Sequence, residues 1–114
     1  MKEKIFIIEL NEFNISLLKK GVKELGLENI DKILKFKHSK TFSEDNLEGQ
    51  GLDPWVQWVS VHTGKPSSIH NVLRIGDVPK LEFPQIWEKI ALKGFSTGIW
   101  GTMNASINIK KGCF

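Results

Sequence analysis

The chain has 114 residues, enough for one small core and hardly for two. Its hydrophobic share of 40% and charged share of 25% are those of an ordinary globular chain, and neither repeats nor low-complexity stretches occur. The net charge of +3 comes from basic residues spread along the sequence, without the concentrated basic stripe and interleaved aromatics that nucleic acid requires. The densest basic stretch, Lys32, Lys35, Lys37 and Lys40, reads as a solvated face, so no nucleic-acid partner is expected. One cysteine, Cys113, excludes an internal disulfide framework. The apolar run Ile5 to Ile8 is too short for a signal core or a membrane span, so the expectation is a cytoplasmic location without a membrane partner.

In chain order, Ile5-Phe6-Ile7-Ile8 is a continuous β-branched and aromatic run. It predicts a strand buried on both faces, of the kind found in parallel sheets. Asn14 and Ser16 offer cap chemistry for an amphipathic helix carrying Ile15, Leu17, Leu18, Val22 and Leu25, with Gly26 as its stop. Leu27 to Leu34 reads as a short helical turn, Lys35 to Ser43 as an exposed strand and Glu44 to Asp53 as a functional loop or lid. Asp53 and Pro54 then suit the start of a helix that runs to Gly64. Apolar residues at Trp55, Val56, Trp58, Val59 and Val61 cover most of its circumference and predict full burial.

Lys65 to Ser68 is expected to turn. Phe83 to Leu92 has helical spacing at Ile86, Trp87, Ile90 and Ala91, and Ser96 to Trp100 reads as a further short buried strand. The four tryptophans, Trp55, Trp58, Trp87 and Trp100, read as core. The alternation of strands and helices predicts an α/β fold, a mostly parallel sheet flanked by helices, with right-handed connections. Ligands of such folds gather at the carboxyl ends of strands.

Three places there carry possible chemistry. Glu9-Leu10-Asn11-Glu12 presents hard oxygen donors for a divalent cation, or else Asn11 caps the following helix and Glu12 decorates its first turn. Asp53-Pro54-Trp55 opens a helix whose free N–H groups suit an oxyanion, although Pro54 removes one donor and Asp53 repels an anion unless a metal intervenes. The plainer alternative is an Asp-capped, proline-started helix. His62 and His70 do not have the i, i+4 spacing of a helical zinc pair, and each reads as a hydrogen-bonded structural residue. Ser60 has neither an obvious base nearby nor a nucleophile-elbow pattern.

The stretch from Trp58 to His70, with Thr63-Gly64, Pro66 and His70, resembles a recurrent segment of the alkaline phosphatase superfamily. It is most similar to the type I phosphodiesterase and nucleotide pyrophosphatase branch. The opening apolar strand, with Asn11 where the family carries an acidic metal ligand, and the segments Ile86 to Gly94 and Thr97 to Gly101 extend the likeness over nearly the whole chain. The resemblance implies two-metal hydrolysis of a phosphate or sulfate ester through a threonine or serine nucleophile. It makes Asn11 and Asp53 candidate ligands for a divalent metal such as zinc or manganese, in an incomplete set. Counted back from Thr63-Gly64, the nucleophile's place falls on Pro54, which has no nucleophilic group, so the catalytic residue stays unassigned.

The resulting expectation is the N-terminal part of a larger hydrolase, inert by itself, with a small-molecule ester as substrate if it is active. An incomplete sheet would leave an open edge prone to self-association. The alternative is a non-catalytic α/β binding or assembly module.

Overall fold

A computed structural model describes residues 4–41, 53–109 and 111–114 of the chain. The backbone divides into two compact units, Met1–Thr41 and Phe42–Phe114.

The first unit is a helical hairpin. Helix α1 (Ile15–Leu25) starts where Asn14, in extended conformation, accepts a hydrogen bond from the Leu17 N–H at 3.0 Å. That side chain satisfies one of the donors that every helix N-terminus leaves open. The helix ends at Gly26, whose φ of 65° is open to glycine without the Cβ penalty, and the Gly26 N–H closes on Val22 O at 3.1 Å. Helix α2 (Glu28–Leu34) follows almost at once. Leu18 and Val22 on α1, and Ile30 and Leu34 on α2, are half-buried, each pair four residues apart and so on one face of its helix. Gly21 makes room at this seam, since a Cβ there would lie 3.2 Å from Leu27 Cδ1. Neither helix buries a residue completely.

The second unit holds helix α3 (Pro54–Thr63), the four-residue helix α4 (Ser67–His70), a 3₁₀ turn at Val78–Lys80 and helix α5 (Ile86–Leu92). Val59 of α3, Val72 and Leu81 form its core, and Val78 and Phe83 pack against it. Val56, Trp87 and Ala91 are buried as well. Helix α3 is buried along one side only, because Val61 stays exposed, contrary to the all-round burial expected from its apolar residues.

The α/β expectation is overturned. Helices take up 42% of the described residues, bridge residues 2%, and no sheet exists among them, so a mostly parallel sheet flanked by helices is absent. What remains of parallel pairing is one bridge, Thr97 with Cys113. Its ladder is Thr97 N–H to Gly112 O at 2.7 Å, Phe114 N–H to Thr97 O at 3.1 Å and Ile99 N–H to Phe114 O at 2.9 Å. Ile5 to Ile8 is irregular and exposed, and Lys35 to Thr41 forms no strand. A helix closes its hydrogen bonds within its own segment, whereas a strand exists only with a partner; β-branched composition supplies the preference and not the partner. Trp100, expected in the core, is exposed, and Trp55 and Trp58 are half-buried. The loop expected from Glu44 to Asp53 lies, except for Asp53, outside the described residues. None of the described helices is long and apolar enough to cross a membrane.

Candidate functional site

The Trp58–His70 segment folds as a corner. Helix α3 stops at Gly64 (φ 71°), whose N–H bonds Ser60 O at 2.8 Å. The Thr63 hydroxyl donates to Val59 O at 2.7 Å and accepts from the Lys65 N–H at 3.2 Å, which holds the chain across the turn. Lys89 of α5 donates to Thr63 O at 2.6 Å and so satisfies a carbonyl that the end of α3 leaves open. Pro66, extended, precedes α4, and Asn71 ends it in the left-handed region (φ 55°) that asparagine tolerates.

His70 closes this corner. Its Nδ1 accepts the Val72 N–H at 3.0 Å, so Nδ1 carries no proton and the neutral ring is protonated at Nε2. Nε2 lies 2.9 Å from Ser60 Oγ and therefore donates to it, while Ser60 in turn donates to Val56 O at 3.4 Å. A serine nucleophile needs the reverse polarity, with an unprotonated ring nitrogen facing the hydroxyl. The ring that the sequence did not place beside Ser60 is thus a near neighbour across the Gly64–Pro66 turn, but it acts as a brace. His62 is buried as well. It stacks on Trp58 with ring centroids 5.8 Å apart, meets Trp87 at 4.8 Å, and has Nδ1 3.4 Å from Gln85 Nε2. Both rings meet α3, His70 through Ser60 and His62 through Trp58, and His62 also reaches Gln85 and Trp87.

Asn11 belongs to the first unit and Asp53 to the second. Asn11 lies in an exposed turn followed by Glu12, whose φ of 55° breaks the extended run, and it is Asn14 rather than Asn11 that caps α1. Asp53 is exposed and extended. Its carbonyl accepts the N–H groups of Val56 and Gln57 at 2.9 and 3.1 Å, but its carboxylate makes no capping bond. Pro54 occupies the first helical turn. Each candidate brings one kind of oxygen donor, short of the six or more that a hard cation takes. Among the described residues no three His, Cys, Asp or Glu side chains converge.

The densest polar chemistry lies elsewhere, on α5. Gln85 and Glu88 form a capping box, the Glu88 Oε2 accepting the Gln85 N–H at 2.8 Å. The other Glu88 oxygen accepts the N–H groups of Asn108 at 2.6 Å and Ile109 at 3.0 Å. Gln85 accepts from the Ser106 N–H at 2.7 Å and donates to Asn104 O at 2.9 Å. Trp87 Nε1 donates to Ser106 O at 2.9 Å, and the Asn104 amide donates to Trp55 O at 2.8 Å. The segment from Asn104 to Ile109 has no regular structure, so side chains supply the partners that its backbone lacks. Gln85-x-x-Glu88 behind Pro84 has capping-box spacing, which is the one mark of this clamp in the sequence.

Among the described residues Asp77 has a lowered carboxyl pKa. The Lys80 ammonium, hydrogen-bonded to it at 3.3 Å, holds its carboxyl below the usual aspartate range, with help from the Arg74 N–H at 3.1 Å. This is a turn-stabilising arrangement ahead of the 3₁₀ turn.

A scan against protein-family models found no match, and neither did searches of curated proteins and of solved structures.

Proposed function

We propose that the chain is the N-terminal part of a metal-dependent phosphoric or sulfuric ester hydrolase-like protein of the alkaline phosphatase lineage. By itself it turns over no ester. A cytoplasmic location and a small-molecule ester substrate for the whole protein belong to the same proposal.

The observation that carries it is the corner built by Thr63, Gly64, Pro66 and His70. Every one of the resembling residues has a structural task there: hydroxyl brace, left-handed stop, extended turn and imidazole brace. A spacing kept by such a corner is a scaffold feature, which supports descent more than activity. The chemistry would need an attacking group near the start of α3, where Pro54 has none and Asp53 is a carboxylate. It would also need ligands beyond Asn11 and Asp53. We therefore derive no reaction step from these residues.

The test is twofold. Sequencing the gene beyond the Phe114 codon is expected to reveal an open frame with further aspartates and histidines; an immediate stop codon sinks the proposal. The purified chain, given nitrophenyl phosphate, phosphodiester and sulfate esters with zinc or manganese, is expected to show no turnover above buffer. Metal-dependent turnover that disappears in Asn11→Ala would overturn its inertness.

A second reading, a non-catalytic binding or assembly module, is favoured by Pro54 in the first turn of α3. It differs by a metal response. If Asn11 or Asp53 holds zinc or manganese in the folded chain, the metal raises the melting temperature, whereas a binding module shows no shift.

A further inference from the structure

We draw no further inference here: the strongest candidate, the apolar surface that Ile15, Leu17 and Leu25 of helix α1 expose among the lysines of the helical hairpin, carries nothing because no observation shows what covers it.

Discussion

The first unit spends its apolar residues on a two-helix seam and leaves Ile5 to Leu10 largely uncovered, while the second gathers Val56, Val59, Val72, Leu81, Trp87 and Ala91 out of water. The second unit also encloses Gln85 and Glu88 completely and binds them to backbone. Sequence hydrophobicity is not what separates them, since the first unit contains the most continuous apolar run in the chain. Tertiary partners are. Local hydrogen bonds make a helical hairpin, but resistance to opening comes from buried contacts that close over sequence-distant segments.

That comparison can be broken most forcefully at Glu88. Its two oxygens hold three backbone N–H groups, and Glu88→Ala would leave the Gln85 N–H unsatisfied at a buried position and release Asn108 and Ile109. The expected loss is about 3 kcal/mol or more, read by urea unfolding of the Trp87 environment. A loss below about 1 kcal/mol would mean that the clamp is dispensable and the contrast between the units is weaker than drawn. Val59→Ala removes methyl groups from a fully buried position in the same core and should cost about 2 kcal/mol. If its effect were no larger than that of Leu18→Ala, at a half-buried position in the hairpin, the second unit would have no privileged core.

In the first unit the sharpest test is its cap. Asn14→Ala removes the bond to the Leu17 N–H and should cost about 1 kcal/mol of helix stability. Because α1 buries no residue completely, the loss should appear as reduced helical circular dichroism while the second unit unfolds at an unchanged urea concentration. A coincident shift in both would show that the units are coupled.

The smallest effect is expected at Asp77. Its carboxyl is held below the ordinary value by Lys80, so the stabilisation is present at neutral pH and disappears as pH falls through the lowered value. Asp77→Asn should flatten that acid-side dependence and speed amide exchange at Arg74, whose N–H the carboxylate accepts. Unchanged exchange at Arg74 would show that the turn holds without it.

Much of the helical framework was legible. Asn14, Gly26, Pro54 and Gly64 bound α1 and α3 where cap and stop chemistry placed them, because each acts on the backbone within a turn of itself. Helix α5 begins later than Phe83, at Ile86, since the Gln85 and Glu88 side chains set its start. The candidate site was legible only in part. The spacing of His62 and His70 argued only against a helical zinc pair and named no partner for either, and the Ser60–His70 pair was not legible, because it joins residues across a turn whose geometry Gly64 and Pro66 decide together. The clamp on Asn104 to Ile109 left a single short mark at Gln85 and Glu88. Its partners are backbone groups of an irregular segment, and every residue type has those.

The sequence by itself determined where α1 and α3 start and stop. These are outcomes of short-range geometry, in which cap, stop and period act within a few residues. Only the tertiary structure decided that Ile5 to Ile8 and Lys35 to Thr41 form no sheet, that Trp100 is exposed and that Glu88 is buried. A strand and a buried carboxylate share one physical requirement. Each needs hydrogen-bond partners from elsewhere in the chain, and propensity along the sequence does not say whether those partners arrive.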